Sequence, residues 1–81
     1  MRVSVYSIEE TLFEGEAEKV IAKTPMGEIT VLDDHLPIVS SLVGPVLKIF
    51  GRDESTTQTI NISSGFLEVR PESEVVILKD S

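Results

Sequence analysis

With 81 residues the chain has room for one small domain, because a chain this short buries only about 60% of its unfolded surface. Fourteen acidic against seven basic residues leave a net charge of −7, and the basic residues are scattered from Arg2 to Lys79. That balance argues against a nucleic-acid partner and against adsorption to, or insertion into, anionic lipid.

The chain has no cysteine, so neither a disulfide nor a thiolate zinc site reinforces the core, while 41% hydrophobic residues are enough for a folded one. Val, Ile and Thr together supply 24 residues and Ala only two, a composition that favours strands. In chain order, Val3 and Val5 alternate with Arg2, Ser4 and Tyr6 as a first strand. Ser7-Ile8-Glu9-Glu10 reads as a turn, in which Ser7 and Glu10 have capping-box spacing. Residues 11–23 read as one long second strand, with Glu14, Glu16 and Glu18 on a solvated face and Phe13, Gly15 and Ala17 opposite. Lys19 breaks that phase, and a bulge there is the expected cause.

Thr24-Pro25-Met26-Gly27 predicts a turn of type II, Pro fixing one corner and Gly tolerating positive φ. Ile29 and Val31 then alternate with Glu28 and Thr30, and residues 33–37 form a loop. An apolar run over 38–42 is followed by a sharp break at Gly44-Pro45, and Leu47 and Ile49 alternate with Lys48. Residues 51–55 predict an exposed hairpin connection before Ile60 and Ile62. Ser64-Gly65 predicts a bulge or a close backbone approach, and Leu67 and Val69 alternate with Glu68 and Arg70. Residues 70–73 turn the chain into a closing run, Val75 to Leu78. About eight to ten short strands at regular spacing predict an all-β fold, a small two-sheet antiparallel β-sandwich forming a single domain over residues 1–81. No apolar run reaches the roughly 18 residues of a membrane span, and no signal peptide is read at the start, so a reducing, cytoplasmic setting is expected.

Catalytic inventory is thin. Asp33-Asp34-His35 holds the only histidine, but neighbouring side chains of an extended segment point apart and rarely converge on one ion, so no metal is expected. Ser40-Ser41 and Ser63-Ser64 sit in strand contexts without a G-x-S-x-G elbow, and no phosphate-binding glycine loop occurs. These features point away from an enzyme and toward a binding or structural module with no cofactor.

Several stretches, in order, resemble one family: the N-terminal β-sandwich of the epsilon subunit of F-type ATP synthase. Phe13-Glu14-Gly15-Glu16 resembles its F-x-G stretch and is followed by EKVIAKT; Gly27-Glu28-Ile29 through His35-Leu36-Pro37 resembles its G-E…H-x-P signature. The run 38–42, the stretch Gly44-Pro45-Val46-Leu47-Lys48-Ile49, the strand Ser64-Gly65-Phe66-Leu67-Glu68-Val69 and the closing VVILKDS are similar to its later elements. The chain departs from the family at Asp33-Asp34, where Pro-Gly is usual, and at Ser64, where a glycine is usual. It also stops at Ser81, before the family's helical hairpin, so a short form without the inhibitory helices is expected.

The resemblance implies a non-catalytic central-stalk rotor subunit that links the gamma subunit to the membrane c-ring and couples ion translocation to ATP synthesis or hydrolysis. It would lie peripherally at the cytoplasmic face of the bacterial cell membrane, held by protein contacts. By position, Lys23, Thr24, Pro25, Met26, Gly27, Glu28, Ile29 and Thr30 match the segment that meets the c-ring. His35, Leu36 and Pro37 match the gamma-facing side. The alternative is an unrelated small β-barrel binding module of the oligonucleotide-binding type. That module needs aromatic and basic residues together on one sheet face, and Tyr6 alone reads as an exposed aromatic.

Overall fold

The computed structural model describes residues 1–52 and 57–80. It contains eight strands: β1 (Arg2–Tyr6), β2 (Thr11–Glu16), β3 (Lys19–Thr24), β4 (Gly27–Val31), β5 (Ile38–Phe50), β6 (Gln58–Asn61), β7 (Ser64–Arg70) and β8 (Glu74–Lys79). Hydrogen bonds run through them in the order β2-β1-β8-β7-β5-β3-β4, with β6 also on β5. The thirteen-residue β5 is shared. Its first half pairs with β7, from Ile38 opposite Val69 to Val43 opposite Ser64. Its second half pairs with β3 and with β6, as in Ile49 opposite Val20 and Leu47 opposite Ile60.

Side chains from both halves enter one core. Val3, Val5, Leu67, Val69, Val75 and Ile77 come from one side and Val20, Ala22, Val31, Leu47, Ile49 and Ile60 from the other. Strands bonded edge to edge that bury their faces in a shared cluster have to fold over one another, and the result is a two-layer β-sandwich. The all-β expectation holds, with one departure from purely antiparallel pairing: β1 and β8 run parallel, Val3 opposite Val75 and Val5 opposite Ile77. Strands from the two ends of the sequence can meet this way because nearly the whole chain serves as the connection.

The expected long second strand is two strands, and no bulge explains the break at Lys19. The Ala17 amide still bonds to the Met1 carbonyl at 2.8 Å, beside β1, while the Glu18 amide bonds to the Phe50 carbonyl at 2.8 Å, beside β5. The chain changes layer between them. Gly44-Pro45, expected to end a strand, lies inside β5 at the corresponding handover. Residues 7–10 form a turn but cap no helix: the Ser7 amide donates to the Glu10 carbonyl at 2.8 Å, and the Glu10 amide donates to the Ser7 hydroxyl at 3.2 Å. The β3–β4 turn is not of type II, which would need positive φ at Met26; the positive φ, 123°, falls one residue later at Gly27. Of the hairpin connection expected at 51–55, residues 53–55 lie outside the described residues.

Gly65 shows the expected close approach. A Cβ there would lie 2.3 Å from the Leu78 carbonyl oxygen and 3.1 Å from Ile62 Cδ1, and the backbone oxygen cannot swing aside. At Gly15 the nearest atom would be the Phe13 ring at 3.8 Å, an ordinary contact. Gly65→Ala is therefore expected to destabilise the fold by about 1–3 kcal/mol in urea unfolding, while Gly15→Ala stays within roughly 1 kcal/mol of the parent. Equal midpoints for the two variants would contradict the packing described.

Candidate functional site

The β3–β4 hairpin brings Lys23, Thr24, Pro25, Met26, Gly27, Glu28, Ile29 and Thr30 together, with Lys23 opposite Glu28 and Thr24 opposite Gly27. The buried Thr24 hydroxyl closes the tip, donating to the Gly27 carbonyl at 2.9 Å and accepting from the Met26 amide at 3.1 Å. Met26 is left 96% exposed at the apex, and Glu28 and Thr30 face outward. Ile29 points the other way and packs, half-buried, against the core.

His35, Leu36 and Pro37 lie in the loop that follows the opposite end of β4, a five-residue strand about 14 Å long. Leu36 is 77% exposed, whereas His35 is half-buried. The histidine Nδ1 lies 2.7 Å from the Leu36 carbonyl oxygen, a contact that places the ring proton on Nδ1. Asp33 does not turn to the histidine. Its carboxylate binds the Met1 ammonium at 2.7 Å, and its carbonyl accepts from the Ser73 hydroxyl at 2.9 Å. Among the described residues no three His, Asp or Glu side chains come together as metal ligands.

An exposed apolar patch is not anticipated by the sequence reading. The outward face of β1, β8, β7 and the first half of β5 carries Tyr6, Leu78 and Phe66 side by side in register, with Val39 one pair away. Phe66 is 55% exposed, Leu78 52% and Val39 75%, and Ile8 stands beside them on the neighbouring turn. A groove of about 320 Å³ runs between Tyr6, Ile8, Phe66 and Leu78. Arg70 bonded to Glu68 at 3.1 Å and to Glu74 at 3.3 Å, and Arg2 to Glu14 at 3.4 Å, rim the patch with charge. The signal was present in Val75-Val76-Ile77-Leu78, since four consecutive apolar residues in a strand must send two to each face.

The family model described as ATP synthase, Delta/Epsilon chain, beta-sandwich domain matches residues 1–81. The chain belongs to the ATP synthase delta/epsilon family. Similar relatives include the ATP synthase epsilon chains of Exiguobacterium sp. (40% identical over 77 residues, 95% of this chain and 56% of the relative) and of Shouchella clausii (41% over 73 residues, 89% and 53%). The chain thus spans about half the length of the curated relatives it matches. Among solved structures, a chain of the Euglena gracilis mitochondrial ATP synthase superposes with a TM-score of 0.87 at 22% identity, covering 98% of this chain and 49% of that one. A chain of the central stalk and c-ring of the Tetrahymena thermophila mitochondrial enzyme superposes with a TM-score of 0.82 at 13% identity, covering 99% and 63%. At those identities the superpositions establish the fold. A delta/epsilon sandwich, and not an oligonucleotide-binding barrel, is what the sequence encodes. Among the described residues no helix is long and apolar enough to cross a membrane.

The Met1 ammonium ties this delta/epsilon sandwich together at the end where Asp33 sits. It donates to the Ala17 carbonyl at 2.8 Å and pairs with Asp33 and, at 3.5 Å, with Glu16. The hydrogen bond to Asp33 holds the ammonium above its ordinary pKa of 8.0, against the opposing pull of burial. A raised pKa in the folded state stabilises the fold fully below the unfolded value, and that stability is lost as pH rises through the folded value. The urea midpoint of the 81-residue chain is therefore expected to fall as pH is raised above about 8, and Asp33→Asn is expected to flatten the fall. Parallel profiles for the two proteins would show that the Asp33 pair does not carry the effect.

Proposed function

We propose that this sandwich is a non-catalytic rotor element of the central stalk of an F-type ATP synthase. It joins the gamma subunit to the c-ring and so couples ion translocation to ATP synthesis or hydrolysis. One observation carries the reading: a continuous apolar patch around Phe66 and Leu78 lies on a rigid β-sandwich whose inward faces are already filled. Large apolar groups left in water on one face of a small acidic protein mark a protein contact. The gamma subunit occupies that face, which extends through Val39 toward His35, Leu36 and Pro37. The c-ring meets the hairpin from Lys23 to Thr30, where Met26 and Glu28 project and Ile29 supports them from the core.

Residues 1–81 act in this role as one domain, peripheral to the membrane and held at its cytoplasmic face by protein contacts alone. The relatives' family name and the superposition on a chain of a central stalk and c-ring support the assignment. Exposed charge pairs such as one made by Glu28 contribute only about 0–1 kcal/mol each, so the apolar face supplies most of the affinity and the hairpin supplies orientation.

The test is copurification with gamma. The parent chain is expected to bind at about micromolar concentration, and Phe66→Glu with Leu78→Glu to weaken binding by at least roughly tenfold. Glu28→Lys leaves gamma binding intact and weakens attachment to the c-ring. A parent chain that forms no complex with gamma would end the proposal, as would a double variant that binds like the parent.

A further inference from the structure

The chain contains no cysteine, so its only sulfur atoms are the thioethers of Met1 and Met26. The fold treats the two in opposite ways. Met1 is 8% exposed and belongs to the core, with its ammonium held by the Ala17 carbonyl and by Asp33. Met26 is 96% exposed at the apex of the β3–β4 hairpin, between an exposed Pro25 and Gly27.

The hairpin does not need that side chain. Thr24 closes the turn with its own hydroxyl, which donates to the Gly27 carbonyl at 2.9 Å and accepts from the Met26 amide at 3.1 Å. Gly27 supplies the positive φ, 123°. Met26 therefore gives the turn a backbone amide and leaves its thioether in solvent. Hydroperoxides oxidise methionine where the sulfur can be reached, and burial blocks their approach.

We infer that Met26 is a selective oxidation site, and that its conversion to the sulfoxide weakens docking of the hairpin on the c-ring. The oxidant is a hydroperoxide. The sulfur lone pair takes the terminal peroxide oxygen as the O–O bond breaks, so sulfur loses two electrons and hydrogen peroxide is reduced to water. A flexible apolar side chain becomes a polar, chiral one. The fold is indifferent to the change, because the side chain buries almost nothing and the Met26 amide keeps its Thr24 partner. A contact made by the apex is not indifferent, because the new oxygen has to be stripped of water wherever a partner covers it. Oxidation takes place in the chain before it reaches the ring, while the apex is still in solvent. The docking effect rests on the reading of this hairpin as the ring contact; the selectivity between the two sulfurs does not.

Peptide mapping by mass spectrometry after hydrogen peroxide treatment of the 81-residue chain tests the selectivity. Met26 sulfoxide is expected to form at least about tenfold faster than Met1 sulfoxide, with the urea midpoint unchanged. Comparable rates at the two residues would overturn the inference. Binding to detergent-solubilised c-ring is expected to fall about fivefold on oxidation, while binding to gamma stays as it was. Methionine sulfoxide reductases with dithiothreitol, which return the sulfur to the thioether as the dithiol becomes a disulfide and water leaves, are expected to restore ring binding. In Met26→Leu the fall caused by peroxide is expected to vanish, whatever that variant's own affinity. An oxidised parent that binds the ring like the untreated one, or a Met26→Leu chain that still loses binding on treatment, would overturn the inference and leave the ring contact standing. A parent chain that does not bind the ring at all would remove the hairpin contact itself, and the docking effect with it.

Discussion

β5 is hydrogen-bonded to β7 along its first half and to β3 and β6 along its second, so neither layer can slide without moving the other. This shared strand also dictates which side chains face inward. Leu42 is buried, and so are Leu47 and Ile49, yet an uninterrupted two-residue period would bury positions 42, 44, 46 and 48. The phase inverts at Gly44-Pro45 because a strand that leaves one layer for the layer opposite must turn its other face to the core. Gly44 fits the crossing, since a Cβ there would lie 2.3 Å from the Ile62 carbonyl oxygen.

The same inversion explains the break near Lys19. Phe13 and Ala17 face the core from one layer, Val20 and Ala22 from the other, and the switch of parity falls where the backbone changes partners. Alternation and turn positions were legible in the sequence because each is a local property of a few residues. Both phase breaks were visible too, but a layer crossing, a bulge and a strand end leave the same one-residue slip in a linear pattern. Only the hydrogen-bond partners distinguish them, and those lie far away along the chain: Glu18 meets Phe50, and Ile62 meets Pro45.

The candidate surfaces were legible in part for a related reason. Met26 and Leu36 stand out in sequence because each is an apolar residue in a polar turn, and both are exposed. The patch of Tyr6, Phe66 and Leu78 is assembled from three strands whose neighbours are set by the parallel pairing of β1 with β8. No window of sequence contains it. Ile29 shows a related limit: family position groups it with the hairpin tip, while strand alternation turns its half-buried side chain toward the core.

The proposed contacts divide between the layers. The apolar patch belongs to the layer built on β1, β8 and β7, while the hairpin with Met26 and Glu28 belongs to the layer built on β3 and β4. A force applied at the hairpin reaches the apolar face by two routes, the continuous backbone of β5 and the shared core. Side chains such as Val20, Val31, Leu67, Val75 and Ile77 are fully buried in that core, and most are branched at Cβ, with one preferred rotamer and little room to yield. Shear between the layers would have to break hydrogen bonds along β5 and drag these side chains past one another together. Stiffness between the two contact surfaces therefore follows from the topology, and neither surface needs a binding energy large enough to immobilise the other.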